Sequence, residues 1–429
     1  MINPTTISKI YSTLGNNNSL VPLAIKDVAN SLGMSTGSYI TGDKHEGKDR
    51  FMDEFGTMAI WLLGVPFYKK VLDFLLFKPF KLDPKIDVRN FKNQDILKQA
   101  AKFAPTEQIR NSIQKAMTKQ KLMKGLTFGK FVASTVLTII SYREYTKYRH
   151  KVTENSIRKE LLEQKEKQKI QDPQKSKTPN FTGGLQDFMF SPVKNLMIVD
   201  AAITTERFTQ SRNKQDLIGY IIKEGAFWGF VYFAGQKIQV HLESVAEKKY
   251  NRSIDLDARV IESAELKNAI QDGTLQKDIE KFQKVMDKSD AEIYEFINNN
   301  DDNFVVKMAK KSDIIPTYKN TNKIDTRKFV DISKIKGVNT KLKKVLNQYE
   351  SARLSSTKSE IETLEIFLKQ LRKLKRASVL KNIGACVGAL GVAVPAIMVA
   401  IRFAGGQKQE FQTKKEIEKQ LELENNEGA

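Results

Sequence analysis

Twenty consecutive residues near the C-terminus, Asn382 to Ile401 (N-I-G-A-C-V-G-A-L-G-V-A-V-P-A-I-M-V-A-I), carry no charge. No other stretch constrains the fold as tightly. A helix rises 1.5 Å per residue, and about 20 apolar residues cross the roughly 30 Å hydrocarbon core of a bilayer. The choice is between a transmembrane helix and a buried core helix of a soluble domain, and the length favours the membrane. Gly384 and Gly388 form a G-x-x-x-G pair, with Ala385, Ala389 and Ala393 on a ridge of small residues beside it. In lipid such a face lets helix backbones approach closely, so the last apolar helix is expected to self-associate there. Pro395 predicts a kink in the same helix.

Three further apolar stretches stand out. Phe55 to Tyr68 is followed by Lys69-Lys70 and a short apolar run to Phe77. Gly125 to Tyr142 holds one charge, Lys130, and is long enough to span if that lysine snorkels to the interface. Leu217 to Gly235 contains Lys223-Glu224. The first and third read equally as spans, interfacial segments or soluble core helices. An ionisable group inside a span is a functional candidate by default. Lys130, Lys223 and Glu224 are therefore candidate intramembrane charges, and Lys130 is expected to pair with Glu224.

The chain has 71 Lys+Arg against 50 Asp+Glu, a net charge of +21. That balance favours polyanionic partners, either anionic lipid or nucleic acid. The densest basic run, K-Q-L-R-K-L-K-R, lies just before the uncharged stretch. Lys369, Arg372, Lys373, Lys375 and Arg376 are expected to meet the anionic headgroups of a lipid bilayer. A soluble helical nucleic-acid-binding protein, the alternative, would use the same run as a phosphate-contacting face. The run contains no aromatic residues, and its place beside the most apolar segment favours lipid.

Loop charge also bears on orientation. Lys78 to Lys124 holds 12 Lys/Arg and 4 Asp/Glu, whereas the tail from Gly405 holds 4 Lys and 6 Glu. Basic loops stay cytoplasmic. Four crossings would place the N-terminus outside, Lys78–Lys124 inside, Arg143–Asp216 outside, Gln236–Lys381 inside and the tail outside. The N-terminus carries no pattern of a cleavable signal peptide.

No catalytic chemistry is legible. Gly42 to Asp49, G-D-K-H-E-G-K-D, matches the phosphate-loop pattern G-x-x-x-x-G-K-[S/T] at every position except the last. Asp49 replaces the magnesium-binding hydroxyl, Asp43 and Glu46 would face the phosphates, and no apolar strand precedes the loop. An exposed loop before a helix starting near Asp49 is the expectation. Cys386 is the only cysteine, and His45, His150 and His241 are far apart, so neither a metal site nor a cofactor is expected.

Between the apolar stretches the pattern is helical. Val152 to Gln171 reads as a charged helix with Glu154–Arg158 and Glu163–Lys167 at i,i+4 spacing. Asp172 to Gly184 reads as a linker. Asp255 to Asn300 reads as two or three helices, with Ser289 and Glu292 as a capping box and Asn298–Asn303 as a helix exit. Ile314 to Asn339 reads as irregular. Ile361, Leu364, Leu368 and Leu371 form an amphipathic seam too short for a coiled coil between chains; that helix is expected to enter the last apolar stretch without a break. D-R-F at Asp49–Phe51 and E-R-F at Glu206–Phe208 each precede a Trp-containing apolar stretch, a hint of duplication.

The segments divide at 54, 142, 195, 235, 381 and 404. They predict a mainly α, membrane-associated helical protein with one to four apolar helices, multi-pass or C-terminally anchored. Residues 236–381 form its large basic cytoplasmic region. The expected role is structural or interactive rather than enzymatic.

Overall fold

A computed structural model of the chain describes residues 10–11, 13–15, 20–164, 192–212, 214–319, 321–404 and 412–426. The protein is mainly helical, with 82% helix and no strand among the described residues. The proposed linker Asp172–Gly184 and Lys167 of the expected Glu163–Lys167 pair lie outside that set. The chain forms two compact units, each assembled from distant segments.

The first unit comprises Met1–Pro22, Leu72–Lys130 and Lys237–Asn382. Its helices are α3 (Gln94–Lys102), α4 (Glu107–Thr118), α8 (Gly235–Tyr250), α9 (Ala258–Ile261), α10 (Ala264–Gln271), α11 (Thr274–Gln283), α12 (Asp290–Asn299), α13 (Phe304–Lys311), α14 (Ile332–Leu354) and the start of α15 (Glu360–Gly388). Local sequence sets the helix starts. Asn93, Thr106 and Asn303 each accept backbone N–H groups at a helix N-terminus. The Ser289–Glu292 capping box forms as expected. Helix α14 begins at Ile332, inside the segment expected to be irregular, because Asp331 caps it through Lys334 N. This unit follows the aqueous rule. Leu97, Ile113, Phe282, Ile297, Val305, Leu342 and Leu371 share one buried apolar core. Leu364, Leu368 and Leu371 of the amphipathic seam face that core, whereas Ile361 is exposed.

The second unit comprises Leu23–Val71, Phe131–Gln236 and Ile383–Ala429. It holds α1 (Val21–Thr41), α2 (Lys44–Leu72), most of α5 (Gln120–Gln164), α6 (Pro192–Thr209), α7 (Lys214–Trp228), α16 (Val394–Ala404) and α17 (Gln412–Asn426). Its interior mixes apolar side chains such as Trp61, Phe131, Ile203 and Phe227 with polar and charged ones, and apolar residues line its exterior. Helix α1 buries Asp27, Asn30, Ser31, Ser35 and Ser38 while exposing Leu32, Tyr39 and Ile40. Helix α5 buries Ser134, Thr138, Arg149 and Thr153 while exposing Val132, Val136 and Ile140 at one residue per turn. Leu63 and Phe67 of α2, Ile218 and Ile221 of α7, and Ile397 and Ile401 of α16 are exposed as well. Single exposed apolar residues are ordinary on soluble proteins; ridges of them on successive helices over buried charges are not.

Two helical stretches, Gln120–Glu163 and Glu360–Ile401, are long and apolar enough to cross a membrane. A soluble core helix passes the same test when it is mostly buried, but here only 33% and 22% of the most apolar window is covered by protein. The second stretch contains the expected continuation of the basic helix into the uncharged segment.

Close packing within that segment falls elsewhere than the G-x-x-x-G pair. A Cβ added at Gly384 or Gly388 meets nothing within 4 Å, so that face is open. The tight contact is between Gly33 of α1 and Gly391, where a Cβ on Gly33 would lie 2.3 Å from the Gly391 carbonyl oxygen. Gly391 sits in a π-helical turn, Ala389–Ala393, directly before Pro395, where the expected disturbance of the helix appears. Gly33→Ala is expected to destabilise the protein by about 1–3 kcal/mol through overpacking, with Gly388→Ala leaving stability within about 0.5 kcal/mol. Thermal unfolding of the two purified variants checks this contrast; equal effects would refute it.

Candidate functional site: a buried charge network

The phosphate-loop lookalike is the entrance to this site. Helix α2 starts at Lys44, earlier than expected, and only Gly42 and Asp43 separate it from α1. Asp43 Oδ1 accepts the backbone N–H groups of His45 and Glu46 and caps the helix. Gly47 is a packing glycine: a Cβ there would lie 2.2 Å from the Tyr39 ring. Lys48 points outward and Asp49 inward. The segment is therefore a helix N-terminus packed on α1, not the exposed loop expected from sequence.

Asp49 opens a network of buried charges. Its carboxylate accepts from Arg149 at 3.0 Å, Arg212 at 2.7 Å and the Thr153 hydroxyl at 2.7 Å. One turn on, Asp53 is fully buried. It faces three guanidiniums, Arg207 at 3.4 Å, Arg50 at 3.6 Å and Arg149 at 3.7 Å. Glu54 pairs with Lys223 at 2.7 Å, and Lys223 with Glu224 at 3.0 Å. Glu224 also accepts from Arg207 and from the Thr204 hydroxyl. Tyr220 closes the cluster, accepting from Arg149 at 3.3 Å, with Arg50 and Arg207 over its ring at 5.1 and 5.5 Å. Helices α2, α5, α6 and α7 each contribute, and the spacing Asp49–Asp53 and Arg50–Glu54 places both pairs on one face of α2.

Two of the three candidate intramembrane charges, Lys223 and Glu224, belong to this network. The expected Lys130–Glu224 pair does not form. Lys130 reaches Asp73 at 2.6 Å and the Phe77 ring at 5.0 Å instead. The two tripeptides that hinted at duplication supply Asp49, Arg50 and Arg207 to one cluster. They are not equivalent: the first lies inside a continuous helix, the second at the end of α6. Asp49, Asp53, Glu54 and Arg149 escaped the sequence reading because each sits on a segment with many solvated charges. The signal was the i,i+4 doublet placed one turn before an apolar run.

The basic run before the uncharged stretch divides by helix face. Arg372 donates to the carbonyls of Ile261 and Ser263 at 3.1 and 3.4 Å. Lys375 is buried against the Ile254 carbonyl at 2.7 Å. Arg376 forms a two-pronged pair with Glu262, both bonds 2.7 Å, and stacks over Tyr11. These three share the face of Leu368 and Leu371 and hold the first unit together, which corrects their assignment to a lipid surface. Lys369 and Lys373, one turn apart on the opposite face, are exposed.

Among the described residues no group of three or more His, Cys, Asp or Glu side chains is arranged to hold a metal ion. Cys386 is buried and directs its thiol to the Phe230 carbonyl at 3.6 Å. No protein-family model, no curated protein and no solved structure matches the chain.

Breaking a buried ion pair by removing one partner leaves the other charge uncompensated, at about 3–5 kcal/mol. Asp53→Asn and Arg149→Met are each expected to destabilise by that amount. Chemical denaturation in detergent measures it, and a loss under about 1 kcal/mol in both variants would refute the network's role.

Proposed function

We propose that the chain is an integral membrane protein with a structural or interaction role. In this reading the apolar helices of the second unit lie in the bilayer, and the basic region 236–381 is cytoplasmic. The observation that carries the reading is the set of exposed apolar ridges over buried charges in the second unit. Lipid offers no hydrogen bonds and no hydrophobic drive between helices, so charges must turn inward and apolar ridges outward. A soluble nucleic-acid-binding protein would leave those ridges in water.

The composition of the first unit also bears on topology. It unites the N-terminal segment with Lys78–Lys124 and Lys237–Asn382. Tyr11 stacks under Arg376, and a Cβ on Gly15 would lie 2.9 Å from Ala258. One compact unit occupies one side of a membrane, so the N-terminus belongs inside with the two basic segments rather than outside. Helix α1 then supplies an additional crossing before α2. The opposite side collects Asp43, Glu160 and the tail helix α17, linked through Lys414 at 3.9 and 3.5 Å and through Ile157, Leu161, Ile417 and Leu421. The open Gly384–Gly388 face is the proposed contact with a second copy of the chain.

Single cysteines introduced into a Cys386→Ala background test the embedding. Val136→Cys should resist a membrane-impermeant maleimide from both sides. Lys98→Cys and Lys373→Cys should react from the cytoplasmic side only, and Lys419→Cys from the other side only. Ready labelling of Val136→Cys would place the ridge in water and end the membrane reading.

Lipid contact by the basic run reduces to its exposed members. Replacing Lys369 and Lys373 with Gln should weaken binding to anionic vesicles by about 1 kcal/mol per residue and leave the fold intact. Replacing Arg372 and Arg376 should instead lower the stability of the first unit. Vesicle flotation and thermal unfolding, measured on both pairs, separate the two roles; unchanged flotation of the Lys369/Lys373 variant would count against the lipid contact.

A further inference from the structure

Around one cavity of the second unit four carboxyl groups meet two cations. The cavity, about 20 Å³, is lined by Asp27 of α1, Glu54 and Trp61 of α2, Asp200 and Arg207 of α6, and Lys223 and Glu224 of α7. Both cations are engaged by the glutamates: Lys223 by Glu54 and Glu224, Arg207 by Glu224 and the neighbouring Asp53. Lys26, next to Asp27 in sequence, is turned toward Gly235 and does not line the cavity. Asp27 and Asp200 are 8% and 7% exposed, and no ion pair to either is seen among the described residues. The Oδ2 atom of Asp200 is buried without a hydrogen-bond partner, and Tyr232 faces the same carboxyl from the π-helical turn Gly229–Ala234.

Two carboxyl groups that line one small buried cavity, whose two cations are already engaged by Glu54 and Glu224, lack solvation and add to a local excess of negative charge; a proton relieves both. The cavity exceeds the roughly 10–15 Å³ that one water needs, so a proton carrier fits beside the carboxyls. We propose that Asp27 and Asp200 form a proton-binding site that takes up one proton from water. A carboxylate oxygen becomes a carboxylic acid hydroxyl, which the second carboxylate accepts as a hydrogen-bond donor. No other bond changes. The buried face of α1 supplies a polar route beyond Asp27. The amide of Asn30 and the hydroxyls of Ser31 and Ser35 are buried without partners, the condition in which protein interiors hold ordered water. The site depends on the second unit's interior, not on what surrounds the unit, so it can be tested in detergent whatever the fate of the membrane reading.

Trp61 lines the same cavity, and the chain has two tryptophans. In a Trp228→Phe background, Trp61 emission isolates the site. The expected result is one reversible transition on pH titration, absent when Asp27→Asn and Asp200→Asn are combined. Asp27→Asn alone, the neutral isostere of the protonated form, should keep the helix content of the parent. It should move the transition to lower pH, because the remaining carboxyl no longer faces a like charge. Infrared spectra of protein labelled at aspartate should show the protonated-carboxyl band growing as pH falls through the transition, and lose that component in the double variant. The proposal is overturned if the fluorescence transition or the infrared band survives unchanged in the double variant. It is overturned equally if Asp27→Asn loses helix content, which would make the negative charge itself a structural requirement.

Discussion

Asp53 is a carboxylate with no access to water, and three guanidiniums from α2, α5 and α6 converge on it. The rest of the second unit follows from that convergence. A buried charge without partners costs several kcal/mol, and a well-paired one roughly breaks even against an apolar substitute. The network therefore adds little net stability, and its worth is in specificity: the ion pairs tie α2, α5, α6 and α7 to one mutual register. Any slip of α2 by one residue would carry Asp49, Asp53 and Glu54 off the shared face and leave three arginines stranded. Tyr220 tightens the constraint, since its hydroxyl and its ring face serve different arginines.

The two units solve the same problem in different ways. In the first, apolar side chains gather inside and lysines such as Lys369 and Lys373 face outward, so burial itself drives folding. In the second, buried apolar groups such as Trp61, Phe131, Ile203 and Phe227 share the interior with charges. Small residues and paired charges add contacts there, with close approaches of Gly56 to Tyr145, Gly47 to Tyr39, Gly33 to Gly391 and Gly64 to Thr138. Three long apolar stretches also carry π-helical turns, at Asp73–Phe77, Gly229–Ala234 and Ala389–Ala393. Each inserts a residue and rotates the face that follows. The carbonyl of Phe230, within one of these turns, receives the Cys386 thiol, which explains a buried cysteine in an otherwise inert segment.

Much of the architecture was legible because it rests on local rules. Helix content, the capping box at Ser289 and the unbroken run from the basic helix into the uncharged stretch all follow from spacing and composition. The charge network was not, because a carboxylate on a helix looks the same in sequence whether it meets water or an arginine a hundred residues away, as Asp49 and Arg149 do. Face assignment failed for a related reason. Arg372, Lys375 and Arg376 are distinguished from Lys369 and Lys373 only by what α9 and the segment after Tyr250 bring against them. The phosphate-loop match misled in an instructive way, since its second glycine is required by Tyr39 rather than by phosphate.

Helix α1 shows why hydropathy alone undercounts such a chain. Averaged over its length it carries too many serines, an asparagine and two charges to resemble a span. Sorted by face, Asp27, Asn30, Ser31, Ser35 and Ser38 follow the i, i+3, i+4 rhythm of one buried stripe, and Leu32, Tyr39 and Ile40 are among the apolar residues exposed outside it. A stripe of that kind turned toward other protein costs nothing in lipid. Under the proposed membrane reading, counting it as a crossing reverses the side of the residues that precede α1 and of nothing after it. Tyr11 packs on Arg376 inside one compact unit, so the reading that keeps the N-terminal segment with the basic stretch Lys78–Lys124 agrees both with that contact and with the bias of basic loops toward the cytoplasm.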